Sequence, residues 1–343
     1  PSTRADSGAI EAFIDAQRGG ANHTELHHFA RPVPQGTLGR VHPVYGLVAD
    51  APQGAASVQL ATVAGATLKA GDMLGLGGLL LRTQADCVAD AQGLITVPIV
   101  NRLRKAITGL RRASTATYVD AAGVLQTAAI NVPRTQGGQM LVEAASTNLL
   151  TGSDIADCSV TGTGAYKGGV SVTLPNGLVG SCTEVTTGTD IAGCRFGGLT
   201  GADPGNGHTG SIWARSVSGT LTATMDVNDQ PHSVQTIDTT WRRIDTYGGP
   251  TLTTPYRFFD VTIVAGAAGR KVQFWGSQLE PGALTSYIPT GASAATRAAD
   301  VITPAVWDRP TVPMRLASAA GLTHVPGYAE GLSIDFVEKV GMP

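Results

Sequence analysis

The stretch that decides the architecture is Val306–Ser318, "VWDRPTVPMRLAS". It reads as a turn followed by a strand. The stretch follows what looks like the end of a finished domain, yet residues 306–343 are too few to fold alone without staples. A second strand-like run lies at 331–340, "GLSIDFVEKV", where Leu332, Ile334, Phe336 and Val340 alternate with Ser333, Asp335 and Val337. Pro326-Gly327 supplies the turn between the two. An isolated hairpin is marginal in water, so these strands need a partner sheet from elsewhere in the chain.

Residues 57–107 have the matching need. "SVQLATV" (57–63) alternates at period two; turns at Ala70-Gly71-Asp72 and Asp90–Gly93 separate it from Met73–Leu76, "LLLRTQADC" (79–87) and "LITVPIV" (94–100). Strands at such spacing predict a small barrel or meander. Upstream, "GAIEAFIDAQR" (8–18) places Ile10, Phe13, Ile14 and Gln17 on one helical face, with Asp6 or Ser7 as cap and Gly19-Gly20 as stop. Downstream, residues 108–147 are small, polar and turn-rich, and read as an extended connector. From 148 to 290 the chain runs through short alternating pieces: "GVSVTL", "TGSIWARSV", "LTATMDV", "WRRIDTYGG", "YRFFDVTIV" and "KVQFWGSQLE". That pattern predicts an antiparallel β-sandwich or jelly roll. Residues 291–303 read as a return connector.

Composition agrees with an all-β chain of minor helix content. The 343 residues include 44 glycines and are 42% hydrophobic, enough for two cores joined by tight turns. Charged residues make up 15% and the formal net charge is −2, which argues against nucleic acid or anionic membrane as partner. No apolar run approaches the ~20 residues of a membrane helix, and no signal-peptide pattern is present. The chain opens at Pro1, which reads as a processed product or a fragment. Cys87, Cys158, Cys182 and Cys194 form no CxxC pair, so a zinc ribbon has no support. Reduced, buried cysteines are expected, with a disulfide within 158–194 as the alternative.

Two groups of motifs then resemble known proteins. Asn148-Leu149-Leu150 opens the sandwich, "IWARSVSG" and "TTWRRI" lie within it, and "FWGSQLEPGALTSYIPTGASAATRAADV" (274–301) closes it. This order resembles the carbohydrate-binding-like jelly-roll modules of tailed-bacteriophage tail proteins, and "RASTATYVDAAGVLQTAAINVPR" resembles their leader. "LKAGDMLGLGGLLLRTQADCVADAQGLITVPIVNRLRKAI" with "WDRPT-P-RLAS" resembles a phage tail-tip, distal-tail-like β domain. In that group these last two pieces follow one another closely. The resemblance therefore implies a discontinuous tail-tip domain, 1–107 plus 304–343, interrupted by the sandwich in a surface loop, and surface loops tolerate such insertions. Ile107 is then expected near Pro304, and Val306–Ser318 beside the 57–107 strands.

The chemistry is sparse. Sugar rings stack on aromatic faces, and flanking polar groups bind their hydroxyls. Trp241, at a strand start beside Arg242 and Arg243, is the preferred glycan contact, with Tyr247 and Tyr256. Trp213 and Trp275 fit central strands and are assigned to the sandwich core, and Trp307 to packing at the insertion junction. Asp226, Asn228 and Asp229 form a weak calcium candidate, against a plain strand-end turn, and no other cofactor is expected. His23, His27 and His28 lack HExxH spacing and read as structural. Glu184, Asp190, Asp245 and Asp260 are unpaired by spacing, and GxSxG and P-loop motifs are missing, so no enzyme is expected. The basic run Arg102, Arg104, Lys105, Arg111, Arg112 reads as a solvated collar or inter-subunit contact.

The expectation is a structural component of a phage tail tip or baseplate. It would assemble with itself, in a ring-like homo-oligomer, and with other tail proteins in the virion, and present the module to host surface glycan. A glycan-degrading tail-spike-type enzyme and a purely architectural module are the alternatives.

Overall fold

The structure, a computed structural model, describes residues 24–27, 33–35, 46–163, 165–188, 192–200, 207–229, 233–249, 256–263, 268–316 and 336–338. The helix expected at 8–18, the Pro326-Gly327 turn, His23 and His28 lie outside them. Among the described residues all regular structure is β-strand, the sheets pair antiparallel, and none closes into a barrel. The chain divides into two compact units. One holds residues 1–110, 138–140 and 302–343, the other residues 111–137 and 141–301.

The first unit is built from small sheets. Ser57–Ala61 pairs with Gly46–Leu47 on one side and Leu94–Pro98 on the other. Met73–Leu76 pairs with Leu79–Arg82 and with Ala305–Val306. Asp90 caps the turn before Leu94: its Oδ1 accepts from the N–H groups of Gln92 and Leu94, both at 2.9 Å. Gly93 in this turn has φ 77°, and a Cβ there would lie 2.6 Å from the carbonyl oxygens of Thr62 and Gly138, so only glycine fits. The alternating apolar residues converge on one core that includes Leu47, Leu60, Leu74, Leu76, Ile95 and Trp307.

The chain leaves and re-enters this unit side by side. Ala51 and Ile107 exchange backbone hydrogen bonds at 3.0 and 2.8 Å, and the Leu47 N–H donates to the Thr303 carbonyl at 2.9 Å. The Thr303 hydroxyl donates to the Thr108 carbonyl at 2.6 Å. Ala305 then pairs with Leu76 and Val306 with Gly75. A turn at Asp308-Arg309 leads into the strand Thr311–Leu316, which pairs with Thr24–His27 and with Phe336–Glu338.

Among the described residues the second unit is centred on a sandwich of ten strands: β1 Ser159–Thr161, β2 Tyr166–Thr173, β3 Val179–Thr186, β4 Ala192–Thr200, β5 His208–Ser216, β6 Leu221–Val227, β7 Ser233–Ile237, β8 Arg242–Gly248, β9 Tyr256–Ile263 and β10 Lys271–Pro281. One sheet runs β1-β4-β9-β6-β7 and the other β2-β3-β10-β5-β8, so neighbours in space are mostly not neighbours in sequence, as in a jelly roll. Along β6, Leu221, Ala223, Met225 and Val227 enter the core while the alternate residues do not. Phe196 stacks on Phe259 at 4.9 Å and meets the edge of Phe274 at 5.7 Å at the centre.

Residues 111–137 are folded, which corrects the extended connector read from their small, polar texture. Ala116–Val119 and Leu125–Ala128 form a hairpin whose turn is capped by the Asp120 carboxylate, accepting from Ala122 and Val124 at 2.9 Å. Buried charge anchors this segment, and apart from Leu125 its buried apolar residues are small, so hydrophobic periodicity marks it only weakly. Arg112 donates to Asp300 at 2.9 Å and Arg134 to the other Asp300 oxygen at 2.6 Å, all three side chains being fully buried. Arg134 also donates to Glu143 at 2.7 Å. Arg112 therefore belongs to a buried cluster, not to a solvated basic collar. Arg111 and Val301 exchange backbone hydrogen bonds at 2.7 and 2.8 Å and close the ends of the unit.

Candidate functional site

The site lies on the outer face of the β2-β3-β10-β5-β8 sheet. Because β5 alternates, Ile212 and Ala214 enter the sandwich core while Trp213 points to the opposite face. Trp213 pairs with Trp275 of β10 and Arg243 of β8. The register between β5 and β10 shifts just beyond this pair, and Gly276 takes φ 66°. A Cβ on Gly276 would lie 2.9 Å from the Trp213 ring, so the glycine lets the indole lie flat there.

Trp213, Trp275 and Tyr287 meet edge to face or tilted, with centroids 5.2–5.8 Å apart. The two tryptophans are buried, but outside the sandwich core to which the sequence assigns them; Leu125 of the hairpin and Tyr287 cover them. The hydroxyl of Tyr287 contacts Ser153 at 2.7 Å and donates to Asp154 at 2.8 Å. Its burial pushes the phenol far above the usual range.

Beside this cluster opens a cavity of about 350 Å³. Trp213, Tyr287 and Arg243 line it on the sheet side, Tyr118 and Gln136 come from the hairpin segment, and Glu143 and residues 284–286 complete it. Arg243 donates to the Thr285 carbonyl at 2.7 Å and the Ser211 hydroxyl at 2.9 Å, and its guanidinium carbon lies 5.0 Å from the Trp213 ring centroid. Its Nε has no partner. Burial lowers its pKa, against the raising charges of Glu280 and Asp245. Burial also pushes Glu143 up. Hydrogen bonds from Ser286 and the charges of Arg297 and Arg134 outweigh it and hold this carboxyl below the usual range. The cavity thus offers the half-buried ring of Tyr118, set against the almost wholly buried Trp213 and Tyr287, with amide and hydroxyl groups and one carboxylate already held in ionised form.

Of the five glycan candidates named from sequence, Arg243 alone lines this cavity. Trp241 is half-buried at the margin of the aromatic cluster; its indole N–H donates to the Thr173 carbonyl at 2.8 Å, and Arg215 sits 4.8 Å over its ring. Arg215 continues to Gln273 at 2.7 Å, and Gln273 to Glu184 at 2.8 Å, so Trp241 belongs to a polar ladder on the same face. Arg242 is exposed, 3.9 Å from Asp238. Tyr247 is 56% exposed, farther along β8. Tyr256 opens β9, and its side chain lies outside the described residues. Tyr118, Gln136 and Tyr287 were missed because they sit in segments read as connector and closing motif. The alternation of "TATYV" (115–119) was the available signal.

The calcium candidate resolves differently. Asn228 is buried, and its Oδ1 accepts from the Phe258 N–H at 3.1 Å, so it ties the end of β6 to β9. Asp226 and Asp229 instead approach Asp260, with oxygens within 4.8 Å of one another. Arg195 supplies the counter-charge: it donates to Asp260 at 2.6 Å, lies 3.7 Å from Asp229, and covers the Phe258 ring at 3.7 Å. Burial first, then the Asp260 and Asp229 charges, raise Asp226 to about 6. A carboxyl raised in the folded state keeps its proton where the unfolded chain has released it, so stability falls as pH rises from about 3.8 to about 6. Asp226→Asn is therefore expected to stabilise the protein above pH 6, by ~1 kcal/mol after allowance for partial solvent screening. Urea unfolding at pH 4 and pH 7.5 checks this: the gain should appear only at the higher pH, and a loss there would contradict it.

The glycosidase carboxylates remain dispersed. Glu184 on β3 is held by Lys271 at 2.7 Å, Asp245 is on β8, and Asp260 is in the other sheet with Arg195. Asp190 lies outside the described residues.

No family model matches this sequence, and no curated protein matches it. Similar solved structures include an exo-β-agarase, at 11% identity and a TM-score of 0.30, covering 40% of this chain and 26% of the agarase. Another is the enzymatically active domain of tailspike protein 4 from bacteriophage CBA120, at 12% identity and 0.29, covering 39% of this chain and 21% of that one. A third is a family 11 carbohydrate-binding module from Clostridium thermocellum in complex with a β-1,3-1,4-mixed-linked tetrasaccharide, at 15% identity and 0.28, covering 43% and 98%. The chain therefore spans about a quarter or less of the first two.

Proposed function

We propose that this protein is a structural component of a phage tail tip or baseplate whose inserted sandwich binds host surface glycan through the outer-face cavity. The observation that carries the binding role is the cavity itself, which sets Tyr118, Trp213 and Tyr287 beside Arg243 and Gln136. Aromatic faces next to hydrogen-bonding groups suit the apolar C–H faces and hydroxyls of a sugar ring. The tail assignment rests on the resemblance of the 68–107 and 307–318 motifs, and on outgoing and returning segments of the first unit that meet at Thr108 and Thr303.

Binding without hydrolysis is favoured over an enzyme. Glycoside hydrolysis needs two carboxyl groups flanking the bond, one of them able to stay protonated. Glu143 is the single carboxylate among the described residues lining the cavity, and it is held ionised by Arg134 and Ser286. Retention of the full chain on immobilised host envelope polysaccharide tests the proposal. Wild type should be retained without release of reducing sugar, and immunogold label should decorate the tail end of virions. Passage through every envelope fraction would leave the architectural reading, and released sugar would favour the enzyme.

A further inference from the structure

We propose that Cys158 and Cys194 are an oxidisable thiol pair that closes to a disulfide when the protein meets a small-molecule disulfide oxidant. The strand register brings them together. Cys194 lies on β4 opposite Val160 of β1, and Cys158 stands two residues before Val160, on the same side of the strand pair. Both side chains enter the sandwich core, with 3% and 0% exposure, and their thiols hydrogen-bond to one another. The other two cysteines are placed elsewhere. Cys182 lies on the outer face of the β2-β3-β10-β5-β8 sheet among Leu174, Trp213 and Trp275, and Cys87 belongs to the first unit. All four are free thiols in the structure.

The neighbourhood also sets the order of attack. Lys167 donates to the Cys158 carbonyl and to Asp157, which keeps its ammonium beside the pair. The hydrogen bond from Cys194 and the Lys167 charge hold the Cys158 thiol below its usual range, while burial pushes Cys182 up to about 11. Cys158 adjoins β1, an edge strand of only three residues, and such edges open locally to admit a reagent. The Cys158 thiolate attacks one sulfur of the oxidant RSSR and expels RS⁻, which takes up a proton. Cys194 then loses its proton and displaces the second RS⁻, so two protein thiols are oxidised and one RSSR becomes two RSH.

The test uses the full chain and oxidised glutathione as the probe. After native incubation, unreacted thiols are alkylated in denaturant and the peptides mapped by mass spectrometry, with a dithiothreitol-treated sample as reference. The expected result is a peptide pair linked through Cys158 and Cys194, with Cys87 and Cys182 alkylated and a melting temperature raised by a few degrees. Cys182→Ser should give the same linked pair. Four alkylated cysteines, a stable glutathione adduct at Cys158 without closure, or a link to Cys87 or Cys182 would each overturn the assignment.

Discussion

Replacing Asp300 with alanine is expected to lower the stability of the second unit by about 3–5 kcal/mol, because it removes the carboxylate shared by two buried guanidinium groups. The Asp300 carboxylate accepts from Arg112 at 2.9 Å, from Arg134 at 2.6 Å and from the Glu143 N–H at 3.0 Å. Arg112 keeps neutral acceptors, among them the Ala129 carbonyl at 2.7 Å, but no second carboxylate. Arg134 retains Glu143, so the cost falls mainly on Arg112. Asp300→Asn keeps the shape and an acceptor and should lose less. A surface pair sets the contrast: Lys69 and Asp86 are 49% and 58% exposed, and Lys69→Ala, which removes the ion pair and leaves the Asp86 contact to the Ala70 N–H, should leave unfolding essentially unchanged. Urea titrations of the three variants check the ranking, and an Asp300→Ala chain as stable as wild type would contradict it.

Trp307→Ala should be comparably damaging to the first unit, by about 3–5 kcal/mol, since it empties an indole-sized space in a formed core. Trp307 is 2% exposed and packs in the cluster of Leu47, Leu74, Leu76 and Ile95. Val306, its neighbour, is 48% exposed, and Val306→Ala should change stability by ~0.5 kcal/mol or less. The comparison is specific because both residues belong to the same returning segment, one turned in and one out. Equal, small effects would mean that the 305–307 segment contributes nothing to the core seen here.

What the sequence discloses depends on which physical signal each part uses. The β6 strand "LTATMDV" announces itself because alternate residues enter an apolar core, and the Asp90–Gly93 turn because Asx capping and a left-handed glycine leave a compositional mark. The same logic misplaces Trp213 and Trp275. Period-two alternation says that they face away from Ile212 and Ala214, but it cannot say that a second layer, the hairpin of residues 116–128, covers that face. The hairpin is hidden because its anchors are Arg112 and Arg134, residues that composition assigns to solvent. For the same reason the cavity is only partly legible. Arg243 is visible as an aromatic-flanked cation, whereas Tyr118 shows only within the short alternation at 115–119, and its meeting with Gln136 and Arg243 is long-range. The acidic trio is likewise long-range, since Asp260 reaches Asp226 only by β6–β9 pairing.

The glycan-binding role is tested most directly by isothermal titration of the full chain with oligosaccharides released from host envelope polysaccharide. One saturable site per chain is predicted. Tyr118→Ala should weaken it at least ~10-fold, about 1.4 kcal/mol, while Tyr247→Ala, exposed and away from the cavity lining, leaves it unchanged. Equal affinity for wild type and Tyr118→Ala, or no heat with any envelope fraction, would contradict the account.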